Sequence, residues 1–138
     1  MSLKDDIKTV ADSNTWGFEY GRSDFNNLID DVEENKTYIV MDPIKVKPLY
    51  NNTGATFGHR YSGYFMMLRK STLDNLYSGS SSAKYEKHIE PLYDDVEVLK
   101  NGLTGCNGDY DIDWDCTEIV NTFSENMDGL IVKYTIEI

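Results

Sequence analysis

Long apolar runs, cysteine, histidine and positive charge are all scarce in this sequence, and each shortage removes a class of function. No stretch approaches the roughly 20 apolar residues that a membrane-spanning helix needs. The N-terminal MSLKDDIKTVADSNTW carries acids where a secretory signal would have an apolar core. The protein is therefore expected in the cytosol, or in a particle assembled there, with no membrane partner. Two cysteines in 138 residues cannot frame a disulfide scaffold. Cys106 and Cys116 lack the CxxC spacing of a zinc site, so both are expected as free thiols. His59 and His88 are the only histidines. His59 stands beside a loop and His88 on a helical face, where exposure or a local hydrogen bond accounts for them better than catalysis. The phosphate-cradling GxxxxGK[ST], the nucleophile motif GxSxG and the zinc motif HExxH are all missing. No enzyme class and no cofactor is indicated.

Positive charge is short overall but not evenly so. Lysine and arginine number 13 against 24 acids, a net charge of −11, which disfavours general nucleic-acid binding. Residues 36–70 nevertheless hold Lys36, Lys45, Lys47, Arg60, Arg69 and Lys70 against one acid, Asp42, so this stretch carries +5 and the remainder −16. Chance clustering in a soluble acidic domain is the bland account. The functional account is a subunit with a basic part and an acidic part that meets a copy of itself head to tail.

What is present suits a single domain spanning residues 1–138, with 40% hydrophobic residues and ten tyrosines to build a modest core. Residues 1–15 form an N-terminal arm or a short amphipathic helix, since Leu3, Ile7 and Val10 fall at helical spacing. Ser23 can cap a helix over Asp24–Glu34, with Phe25, Leu28, Ile29 and Val32 on one side. KTYIVMDPIKVKPLY changes to strand periodicity. Pro43 and Pro48 cannot donate to a ladder, so this segment lies at an edge or breaks near Pro43. A polar tip loop, residues 51–58, leads into HRYSGYFMMLRKS, whose alternating faces complete a basic β-hairpin over residues 36–70. NLYSGSSSAK is a connection. Tyr85, Ile89, Leu92, Val96 and Leu99 then mark a helix that either kinks at Pro91 or begins anew with Pro91 in its first turn. Gly102 is a natural stop. Residues 117–126 can be helical or extended. The closing GLIVKYTIEI alternates cleanly, with Leu130, Val132, Tyr134, Ile136 and Ile138 on the buried face. The expected fold is α+β: a small mixed or antiparallel sheet of about four strands, packed on one side by two to three helices.

CNGDYDIDWDCTE is the stretch that most resembles a site. Asn107, Asp109, Asp111, Asp113, Asp115 and Glu118 fall at ligand positions 1, 3, 5, 7, 9 and 12 of a calcium loop. The match fails where the sharp turn wants glycine, at Ile112, and KNGLTGCNG before it does not read as a supporting helix. No pair of these acids is singled out as a catalytic acid and base. A strand accounts for the pattern better: Ile112 and Trp114, with Tyr110 beside them, face a core, and Asp111, Asp113 and Asp115 face water or a basic partner.

The order of elements resembles that of the tail-completion and neck ring proteins of tailed phages, crAss-like phages among them, a group with a tail-terminator-like fold. The closest parts are the YIVMDP strand and the F..N.DG..V..TI pattern that ends the chain. This resemblance implies a structural, non-enzymatic virion protein assembled in the host cytoplasm. Six or twelve copies would form a ring between the portal or adaptor and the tail, with DNA passing through unbound. It implies no catalytic residues. Taken with the charge map, Lys45, Lys47, Arg69 and Lys70 would meet Asp111, Asp113 and Asp115 of a neighbour. The loop Asn51, Asn52, Thr53, Gly54, Ala55, Thr56, Phe57 and Gly58 would reach another ring. The alternative from a different class is a monomeric acidic module that covers a basic enzyme site or mimics DNA.

Overall fold

The computed structural model describes residues 3–21, 36–70, 88–106, 110–122 and 127–138, with the backbone alone at 106 and 120–122. The expected helix over Asp24–Glu34, the connection after Lys70, and Asn107 and Asp109 lie outside the described residues. The elements are α1 (Leu3–Ser13), β1 (Gly17–Tyr20), β2 (Tyr38–Met41), β3 (Lys45–Tyr50), β4 (Thr56–Lys70), α2 (Glu90–Cys106), β5 (Asp111–Thr122) and β6 (Met127–Glu137). The fold is α+β, as the sequence suggests.

Among the described residues the sheet has six strands, two more than expected. It runs β1-β2-β4-β6-β5, with β3 paired to β4 off this path. β1 is parallel to β2 and every other pairing is antiparallel. Both extra strands have local causes. Pro43 interrupts what would be one strand, leaving β2 and β3 to pair with successive parts of β4: Tyr38–Met41 with Phe65–Leu68, then Lys45–Tyr50 with Thr56–Ser62. β1 is only GFEY, too short to show a period. Pro48 sits opposite His59 in β3, on an outer strand as its missing donor requires. Residues 117–122 are extended and belong to β5.

α1 buries Leu3, Ile7, Val10 and Ala11 on one stripe, and Lys8 pairs with Asp12 at 2.9 Å on the wet side. Thr15 ends it in a left-handed conformation (φ 61°), with the Trp16 N–H donating to the Ala11 carbonyl at 2.8 Å. α2 carries Pro91 as its second residue; the helix starts directly after His88 and Ile89, which already form a wider, π-type helical turn. Gly102 does not stop this helix, which runs on to Cys106, so KNGLTGC is helical after all. The reason is tertiary: a Cβ at Gly102 would stand 2.8 Å from both methyl carbons of Val10. The glycine lets α1 and α2 approach closely.

Both described helices pack on one face of the sheet, here called the helix face. The core there joins Leu3, Ile7, Val10, Leu92, Val96, Leu99 and Leu103 to Ile39, Met41, Phe65, Met67, Leu130, Val132, Tyr134 and Ile136. The other face, the far face, is not uniformly wet. At the level of β2 it buries Val40, Met66, Leu68 and Met127, with Tyr38, Ile119 and Ile131 half-buried around them. At the level of β3 it is polar and open.

Candidate interaction edges of the sheet

β5 settles the form of the acidic stretch. Ile112, Trp114 and Cys116 turn inward against the core, and the Trp114 ring meets Phe65 edge-on at 5.8 Å. Asp111, Asp113 and Asp115 all face out on the far face. Alternate residues of a strand lie about 6.7 Å apart, whereas calcium ligands must converge to about 2.4 Å from one ion. The carboxylates are thus strung along a line. Glu118 lies on the opposite face, where it accepts a 2.5 Å hydrogen bond from the Tyr93 hydroxyl of α2. The supporting helix judged missing from the sequence does precede this segment, yet the extended backbone of β5 spaces out Asp111, Asp113 and Asp115 and turns Glu118 to the other face. Among the described residues, no three histidine, cysteine or acidic side chains are grouped to hold a metal, and no helix is long and apolar enough to cross a membrane. Cys116 is a free, half-buried thiol. Burial pushes its pKa up, with smaller contributions from Asp115 and Glu97, which makes it a poor nucleophile.

The basic residues divide into two groups. Lys45 and Lys47 are exposed on β3. Arg69 is not available in the way the sequence suggests: its guanidinium lies 3.7 Å from Asp95 of α2, both side chains are under one-fifth exposed, and its Nε donates to the Thr37 hydroxyl at 3.2 Å. That hydroxyl in turn donates to Asp95 at 2.6 Å. Arg69 therefore ties β4 and the entry to β2 onto α2. Lys70 is half-buried at the end of β4, opposite Met127. His88, expected at the surface or locally bonded, is buried and only 4% exposed.

The tip loop is shorter than residues 51–58. Asn51, Asn52, Thr53, Gly54 and Ala55 form the turn, in which the Asn51 side-chain oxygen accepts hydrogen bonds from the N–H groups of Thr53 (3.0 Å) and Ala55 (3.1 Å). Gly54 takes the left-handed conformation that closes it (φ 84°). Thr56, Phe57 and Gly58 belong to β4. The register shifts after Leu49, and Phe57 is left without a cross-strand partner and 66% exposed. Val46 and Tyr50 are more than half exposed on the same hairpin.

Register then places the charges. One level of the far face reads Lys45, Ser62, Thr135, Asp113 across β3, β4, β6 and β5. The level beside it reads Lys47, Arg60, Glu137, Asp111. Arg60 and Glu137 bond to each other across the middle. The two outer strands of this part of the sheet therefore carry opposite charge: Lys45 and Lys47 on β3, and Asp111, Asp113 and Asp115 on β5. None of these five forms an ion pair or side-chain hydrogen bond among the described residues. Arg60 and Glu137 were missed as a pair because nothing local links residues 77 positions apart.

The chain matches no protein-family model, no curated protein and no solved structure.

Proposed function

We propose that this protein is a structural, non-enzymatic subunit that closes into a ring through contacts between unlike surfaces of neighbouring copies. Its place would be the neck or tail of a phage particle, between the portal or adaptor and the distal tail. One observation carries the ring: basic and acidic edges stand at opposite ends of the same levels of one sheet. A two-fold dimer joined edge to edge would set lysines against lysines or carboxylates against carboxylates, whereas heterologous edge contacts set unlike charges together and close into a ring when the rotation permits. The neck placement rests on the resemblance in element order and on the YIVMDP and F..N.DG..V..TI segments. A net charge of −11 fits a channel that lets DNA slide past and does not hold it.

Light scattering coupled to size-exclusion chromatography tests the ring. A single species of several subunits, seen as closed circles by negative-stain electron microscopy, is the expected result. The second reading is a monomeric acidic module for a basic partner, favoured by the exposed line of carboxylates on β5. A 15.8 kDa monomer at high concentration would favour it over the ring.

A further inference from the structure

We infer that β3 of one copy docks against β5 of a second copy, in antiparallel register, so that the sheet continues from subunit to subunit. This inference rests on the ring reading above and specifies its joint. Among the described residues, β3 pairs only with β4 and β5 only with β6, so both present an unpaired outer edge. Unpaired edges are templates for strand addition.

Three independent features agree on this partner. The first is direction. β3 is antiparallel to β4, β4 to β6 and β6 to β5, so β3 and β5 run opposite ways within one subunit. A rotation about an axis roughly along the strands keeps every copy's directions. The neighbour's β5 then meets β3 antiparallel, and the alternation continues unbroken around a ring.

The second feature is charge. Lys45 shares its level with Asp113, and Lys47 with Asp111, all on the far face. Continuing each level into the next copy sets Lys45 opposite a neighbour's Asp113 and Lys47 opposite its Asp111. A stagger of two residues keeps lysines against carboxylates, because side chains repeat every second residue. The third feature is the helix face. Val46, 51% exposed, shares a level with Tyr61, Ile136 and the half-buried Ile112. The same joint would therefore cover an exposed apolar side chain with another. β1 limits the contact: it occupies the next strand position at the level of β2. In this register Lys45–Lys47 meets Asp111–Asp113, and β5 must diverge before Cys116, which shares its level with Met41 of β2 and Tyr20 of β1.

The test uses the full chain. Lys45→Glu with Lys47→Glu should abolish the oligomer in light scattering, and so should Asp111→Lys with Asp113→Lys. All four substitutions in one chain should restore it, since each subunit again meets its complement. The second arm places Lys45→Cys and Asp113→Cys together in a Cys106→Ser, Cys116→Ser background. Paired residues of antiparallel strands have Cα atoms about 4.5–5.5 Å apart, within disulfide reach. Mild oxidation should give a ladder of covalent multimers, with Asp111→Cys or Asp115→Cys replacing Asp113→Cys if the ring is staggered. An oligomeric wild type whose four-substitution variant stays dissociated and whose cysteine pairs do not link overturns the β3–β5 joint and leaves the ring reading standing. A wild type that is monomeric throughout overturns both.

Discussion

Gly102→Ala should destabilise this protein, although alanine is the best helix former and glycine among the worst. In an exposed helix interior the exchange gains about 0.9 kcal/mol. Here the new methyl carbon would stand 2.8 Å from both Cγ1 and Cγ2 of Val10, well inside the distance of ordinary carbon contact, about 3.5–4.0 Å. Val10 is only 5% exposed, and a β-branched side chain in a helix has essentially one rotamer, so it cannot swing aside. The helices must part, and overpacking of that kind costs about 1–3 kcal/mol. The net expectation is a loss of about 1 kcal/mol, or roughly 3–4 °C in Tm for a domain of this size. Gly105 is the internal control. It lies in the same helix with nothing within 4 Å of an added Cβ, so Gly105→Ala should be neutral or raise Tm by a degree or two. Thermal unfolding followed by circular dichroism gives the order directly: Gly105→Ala highest, then wild type, then Gly102→Ala. Val10→Ala should cost about 2 kcal/mol alone and markedly less in the Gly102→Ala background, because the new methyl fills part of the hole. If Gly102→Ala is as stable as wild type, the close α1–α2 approach is wrong.

Three further outcomes follow from particular side chains. The Tyr134 hydroxyl is buried without a hydrogen-bond partner among the described residues, so Tyr134→Phe should be neutral or stabilising by about 0.5–1 kcal/mol at pH 7. Burial, with smaller contributions from Tyr20 and Asp42, holds that hydroxyl's pKa well above the ordinary tyrosine range. The unfolded chain ionises near pH 10 while the folded one does not, so above pH 10 the unfolded state binds fewer protons and stability falls as pH rises. Wild type should therefore lose stability there more steeply than Tyr134→Phe, by up to about 1.4 kcal/mol per pH unit in urea titrations; parallel curves would refute the burial argument. Asp95→Ala removes the acceptor of Thr37 and the partner of Arg69 and should cost about 1–3 kcal/mol, with Asp95→Asn milder because its amide oxygen still accepts from Thr37; an unchanged urea midpoint for Asp95→Ala would count against the tie. Excess calcium followed by chelator should leave Tm unchanged, because the extended backbone of β5 spaces alternate residues about 6.7 Å apart; a rise of several degrees with calcium would show a site that the strand does not form.

Sequence alone determined what depends on neighbours a few residues away. The alternation in DIDWDC and GLIVKYTIEI fixed which side chains of β5 and β6 turn inward, since a strand sends successive residues to opposite faces. The spacing of Leu3, Ile7 and Val10, and Pro91 at a helix start, were equally local. Tertiary structure decided everything that depends on what lies opposite. Gly102 carries the same signal whether it ends a helix or admits Val10, and only the packing of α1 distinguishes the two. Arg69 looks like any basic residue until Asp95 is brought beside it. Met66 and Leu68 alternate with Phe65 and Met67, yet both sets are buried, because burial at that level of the sheet comes from both faces. The opposition of Lys45 to Asp113 across four strands is the clearest case. Strand pairing joins residues far apart in the chain, and a periodic pattern records which face a side chain takes but not which strand, or which edge, it will stand on.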